Sequence, residues 1–169
     1  MRSRRSRCHS RATYHPYLFT LITLTAMAEL GLTAFLISAG NELSTWASPG
    51  YYSLLVLLCF EAVWTFLFAT SYVLWAVNGR AHVLANIASS VFWLLLTATL
   101  WGAGAGLLHA EHSDGNCPAP ISRCRESVTV EALGWTEFGL CCTTLAATIF
   151  WIRSNFGKRG FMKDSQTYV

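Results

Sequence analysis

Apolar residues fall in four unbroken stretches, at residues 17–39, 51–77, 81–108 and 128–152, and together these occupy 103 of the 169 positions. Each exceeds the roughly 20 apolar residues that a helix needs to cross a hydrocarbon core about 30 Å thick. Helices of this length satisfy their own backbone hydrogen bonds, which lipid cannot do. A soluble bundle would place polar residues at a 3.6-residue period along each helix, and the tract ASSVFWLLLTATLWGAGAGLL has no such polar face. The pattern therefore predicts an all-α fold, a four-helix transmembrane bundle. It leaves residues 1–16 as a basic N-terminal segment, three links, and residues 153–169 as a C-terminal tail. None of these is long enough to bury a core of its own.

Charge orients the four spans. Arg2, Arg4, Arg5, Arg7 and Arg11 precede the first span, Arg80 lies between the second and third, and Arg153, Lys158, Arg159 and Lys163 follow the fourth. The opposite ends carry only Arg123 and Arg125, with Glu42, Glu111, Asp114 and Glu126 among them. Basic flanks stay in the cytoplasm, so an M-shaped topology with both termini cytoplasmic is expected. The pI of 8.6 is accounted for by that topology, and nucleic acid is not an expected partner. The Arg- and Ser-rich start also suits a transit peptide, and a cleaved signal is another reading. The 23-residue apolar run carrying Glu29 exceeds a signal's hydrophobic region of about 7–15 residues, which favours a retained anchor.

Asn78-Gly79-Arg80 is the only link between the second and third stretches, so these two are expected to form an antiparallel hairpin. Tyr and Trp cluster at the ends of the stretches, as in interfacial belts, while Trp64 and Trp93 lie deeper. Gly102 and Gly106 form a Gly-x-x-x-Gly pair at which a second helix can approach closely. Packing within the chain's own bundle is the favoured use of that pair; a second copy is the other.

Candidate chemistry is sparse. Counted from the outer ends of the stretches at 1.5 Å per residue, Glu29, Glu61 and Glu137 all lie about 15 Å deep, near the midplane. Thr97 and Thr99 are expected at nearly the same level. No Lys or Arg lies in any stretch to neutralise the acids. Each must therefore be neutral, hydrogen-bonded to a hydroxyl or indole, or wetted. The favoured role is interhelical polar contact; the alternative is a proton or cation path. Cys117 and Cys124 bracket PAPISR in an outer loop and are expected to form a disulfide. A metal site built on His109, Glu111, His112 and Asp114 competes with it. Cys59, Cys141 and Cys142 lie within spans as small hydrophobes, and Cys8 is a weak candidate for palmitoylation. His82 and Asn86 are too isolated for catalysis. No nucleotide-binding, hydrolase-elbow or zinc-protease motif is present, so no enzyme and no cofactor is expected. The C-terminal Gln166-Thr167-Tyr168-Val169 gives a weak PDZ-type match at Thr167 and Val169.

Over residues 17–152 the chain resembles the MARVEL-domain proteins, the MAL, physin and occludin-like four-span family, and most of all its fungal members. The carriers are the acid in the first span (MAELGLTAF), LWGAGAGLL closing the third, the paired loop cysteines, and EALGWTEFGLCCTTLAATIFW in the fourth. Claudins share four spans and a Tyr-Val ending, but their Trp and two-cysteine pattern sits in a long first loop. Here that loop has 11 residues and no cysteine. The resemblance implies a non-enzymatic protein that organises membrane domains, membrane apposition or vesicle trafficking. It would reside in the plasma membrane or a secretory-pathway membrane, with lipids, a second copy or other membrane proteins as its partners.

Overall fold

A computed structural model of the chain describes residues 14–43, 46, 48–78, 87–113 and 121–164. Four helices account for nearly all of them: α1 (Tyr14–Leu43), α2 (Pro49–Asn78), α3 (Ile87–Ser113) and α4 (Ile121–Asp164). Each contains a stretch long and apolar enough to cross a membrane, namely Tyr17–Glu42, Pro49–Leu74, Ser89–Ser113 and Cys124–Phe150. The chain is an all-α, four-helix integral membrane protein.

The helices form a ring in chain order. α1 packs on α2 and α4, and α3 packs on α4 and α2, while the diagonal pairs barely touch. Neighbours alternate in direction. At one end Leu36, Tyr51, Leu108 and Val130 share an apolar cluster; at the other Phe19, Ala69, Trp93 and Cys141 do. The first is the loop end, and the second, where the chain begins, is the terminal end. The expected α2–α3 hairpin is present, although these two make the slightest contact of any neighbouring pair.

Lipid tails are as apolar as Leu, so what holds such helices together is close packing rather than exclusion from water. Small residues permit that approach. A Cβ on Gly104 would lie 2.9 Å from Leu58 Cδ2 of α2, and one on Gly134 of α4 would lie 3.2 Å from Ala105 Cβ of α3. On α1, a Cβ at Gly40 would run into the Trp46 indole. Gly102 has the Phe138 ring 3.2 Å from its Cβ position, whereas Gly106 has nothing within 4 Å. The expected Gly102/Gly106 pair is thus corrected. Gly102 packs on α4, Gly104 takes the close approach from α2, and Gly106, one turn on from Gly102, has nothing within 4 Å of its Cβ position.

The helices outrun the apolar stretches on the loop side. α3 continues five residues past the expected Leu108, and α4 starts at Ile121, seven residues before Val128. Cys124 therefore belongs to a helix rather than to a loop. Ser48 caps α2, its Oγ accepting the Tyr51 N–H at 3.0 Å, and Pro49 follows where a missing N–H costs nothing. Hydroxyls within the spans bond back to their own helix: Thr23 to the Phe19 carbonyl at 2.8 Å, Thr144 to Leu140 at 2.7 Å, and Thr148 to Thr144 at 2.8 Å.

Replacing Gly104 by Val inserts atoms where Leu58 and Glu61 already lie, so it should cost about 1–3 kcal/mol of bundle stability. Gly106→Ala should stay within about 0.5 kcal/mol of the parent. Reversible unfolding in mixed micelles reads both. Equal losses at the two positions would contradict this packing.

Candidate polar sites within the bundle

Glu29, Glu61 and Glu137 are all buried, at 0%, 2% and 0% exposure. A carboxylate in such a setting needs a cation, and no Lys or Arg is buried among the described residues. The three acids belong to one layer. Glu29 lies within electrostatic range of both others. Glu61 rests on the bare backbone of α3, its Oε2 3.2 Å from the Cβ position of Gly104, so the glycine that admits α2 also makes room for its acid. Glu137 Oε1 accepts the Thr25 hydroxyl at 2.5 Å, joining α4 to α1. Next to this layer Trp101 Nε1 donates to Thr65 Oγ1 at 3.0 Å, joining α3 to α2.

The acids are the least satisfied groups in the bundle. Both oxygens of Glu29 and of Glu61, and Oε2 of Glu137, have no hydrogen-bond partner among the described residues. A carboxyl buried in this way is far less costly neutral than ionised, and three ionised neighbours would also repel one another. Apolar clusters flank the layer on both sides. Toward the loop end lie Leu36, Tyr51, Leu55, Leu58, Leu108 and Val130. Toward the terminal end lie Phe19, Ile22, Ala69, Trp93, Leu94 and Cys141. The terminal cluster is largely aromatic: Phe19 stacks on Tyr72 at 5.0 Å, and Trp93 lies 5.8 Å from Tyr72 and 5.9 Å from Phe68.

Two expected members of the polar layer are not in it. Thr97 is buried, but it lies four residues from Trp101 toward the terminal end, opposite Ala69, and seven residues or about 10 Å from Gly104. Thr99 is exposed on the lipid side and bonds to the Leu96 carbonyl at 2.7 Å. The two are excluded for different reasons: Thr97 lies too far toward the terminal end, and Thr99 occupies the lipid-facing side of α3. Thr25, Thr65 and Trp101, which make the layer's actual hydrogen bonds, could have been found only by pairing the helices in register.

A second polar cluster joins the loop ends of α3 and α4. Glu131 receives two imidazoles, with His109 Nδ1 at 2.6 Å from Oε1 and His112 Nδ1 at 2.6 Å from Oε2. Across the ring, His112 Nε2 lies 2.7 Å from the Oγ of fully buried Ser127. An ionised Glu131 can only accept, so both Nδ1 atoms donate to it, and a neutral His112 then accepts the Ser127 hydroxyl at Nε2. On the other flank Glu111 Oε2 takes the Ser48 hydroxyl at 3.2 Å, tying α3 to the cap of α2. The polar links between outer helix ends thus come from His109, His112, Glu111 and Glu131. The sequence offers His109-x-x-His112 as a signal in the expected outer link, whereas its partner Glu131 lies inside the expected fourth stretch, and only the register of α3 on α4 brings them together.

The competing metal reading draws on the same histidines, whose Nδ1 atoms are committed to Glu131. No group of three or more His, Cys, Asp or Glu able to hold a metal ion occurs among the described residues. Asp114 and Cys117 lie outside those residues, as do Cys8, His82, Asn86, Thr167 and Val169. Cys59, Cys141 and Cys142 are free thiols, and Cys124 is not.

The Thr25–Glu137 pair is the layer's clearest interhelical bond, and its coupling can be isolated. A double-mutant cycle with Thr25→Val and Glu137→Leu, each of which removes the bond, should give a coupling of about 0.6 kcal/mol and at most about 1.7 kcal/mol in a lipid-like solvent, the average and maximum for membrane hydrogen bonds. Additive effects of the two substitutions would contradict the contact.

No protein-family model, curated protein or solved structure matches this chain.

Proposed function

We propose that this integral membrane protein is a non-enzymatic, MARVEL-like scaffold that organises membrane domains, apposition or trafficking, with both termini in the cytoplasm. The supporting observation is the arrangement of its interior. The one layer of acids sits between two apolar clusters, and the buried hydroxyls of Thr33, Thr144 and Thr148 beyond it are turned onto their own helix backbones. Conduction needs a chain of polar groups from one face to the other. An interior of this kind suits a body that holds its shape. Its lipid-facing surface is broad and apolar, with Leu24, Phe35, Phe60, Leu67, Phe92 and Phe150 all more than half exposed. The resemblance in the first and fourth spans, the basic flanks at the terminal end and the expected Cys117–Cys124 disulfide add to the same reading.

Burial of three acids is the feature that a conducting protein would share, so flux is the deciding measurement. Liposomes holding the purified protein should pass protons and monovalent cations no faster than empty ones. The triple substitution Glu29→Gln, Glu61→Gln and Glu137→Gln should leave that unchanged. A flux in the parent that disappears in the triple variant would replace the scaffold by a proton- or cation-conducting protein.

A further inference from the structure

The helix α4 is 44 residues long, and its membrane-spanning stretch ends at Phe150. Its neighbours stop earlier than it does. Moving eleven residues toward the terminal end from the Thr25–Glu137 contact brings α1 to its first residue, Tyr14, and α4 to Thr148. Moving fifteen residues from the Gly102–Phe138 contact brings α3 to its first residue, Ile87, and α4 to Arg153. From position 154 onward α4 has run past the described ends of both helices that flank it. About eleven residues, or roughly 16 Å of helix, extend beyond the described ends of α1 and α3, where the bilayer interface must lie.

The composition of that projection is unlike the rest of the helix. It holds Lys158, Arg159 and Lys163 directly after exposed Arg153, with Asp164 as its single acid, and Phe156, Phe161 and Met162 stand among the bases. Asn155, Gly157 and Gly160 are poor helix formers, so intrinsic propensity does not explain an α-helix here. Something must compensate for the ordering. Positive charge interleaved with aromatic and apolar residues, emerging directly from a membrane span, matches the chemistry of an anionic leaflet: phosphate and carboxylate groups over an acyl boundary.

We propose that the projecting end of α4, residues 153–164, docks on anionic lipid headgroups of the leaflet at the terminal end of the bundle. The site binds negative lipid surface, with no selection of one headgroup required, and it gives the scaffold a lipid preference on that side.

The full chain, placed in nanodiscs of phosphatidylcholine alone or with a minority of phosphatidylserine, allows the docking to be read by amide hydrogen exchange. Residues 153–164 should exchange at least tenfold more slowly in the anionic discs, and the difference should vanish near 1 M salt, where screening acts over about 3 Å. A variant carrying K158Q, R159Q and K163Q should lose most of that protection, since each base contributes up to about fivefold. Exchange in residues 124–150 should be the same in parent and variant, which separates lost docking from lost folding. Equal exchange of 153–164 in both lipids, or no change on neutralisation, would overturn the proposal. Absence of protection in either lipid would point instead to a soluble acidic partner.

Discussion

Lipid supplies neither a hydrogen bond nor a counter-ion to a carboxyl group, and three carboxyls have to be stowed inside this bundle. That constraint organises the structure. The acids can be accommodated only on the interior face of a helix, so they fix which faces of α1, α2 and α4 turn inward. They fix the register as well, because Glu61 needs the missing side chain of Gly104 and Glu137 needs the hydroxyl of Thr25. A slip of one turn between α2 and α3 would drive the Glu61 carboxyl against a side chain. Sliding α1 along α4 by the same amount would set Glu137 against Leu21 or against a second carboxyl, Glu29, in place of the Thr25 hydroxyl. Apolar packing alone specifies register weakly in a membrane, since most apolar surfaces fit most others; the polar layer removes that freedom.

The remaining polar links form a second tier at the loop end. Glu131 gathers His109 and His112, and Glu111 reaches the cap of α2. These contacts lie near the interface, where water competes, so each contributes less than it would at the midplane. Their role is geometric: they hold the outer ends of α2, α3 and α4 together at the level where apolar packing thins out. The cluster also uses both histidines, which turns a potential chelating pair into part of the frame.

Much of this was legible in the sequence. Four spans follow from hydrophobic length, and the burial of Glu29, Glu61 and Glu137 follows from the cost of exposing an acid to lipid. Their common layer is fixed by contacts between the helices, since the expected outer end of α4 is seven residues short, further off than that of α3. Depth along one stretch does not say which face a residue takes, so Thr99 falls on the lipid side, and α3 carries polar residues for another turn past Leu108, where hydropathy alone ends the helix. Hydropathy likewise assigns Cys124 to a loop, and the partnership of Glu131 with its histidines depends on the register of α3 on α4. Gly106 was misread because spacing along one helix does not say which glycine of a run meets a neighbour. Only the register between helices does.

Sealing of the carboxyl layer on both sides is the central claim, and water access measures it most directly. In a protein whose Cys8, Cys59, Cys141 and Cys142 have been replaced by Ala, cysteine would be placed singly at positions 29, 61, 137 and, as a control, at exposed Ser113. A membrane-impermeant thiol reagent added to both faces should label position 113 readily and leave the three midplane positions unreacted. Labelling at any of the three, from either face, would mean that water reaches the acids and that the apolar clusters do not close the bundle.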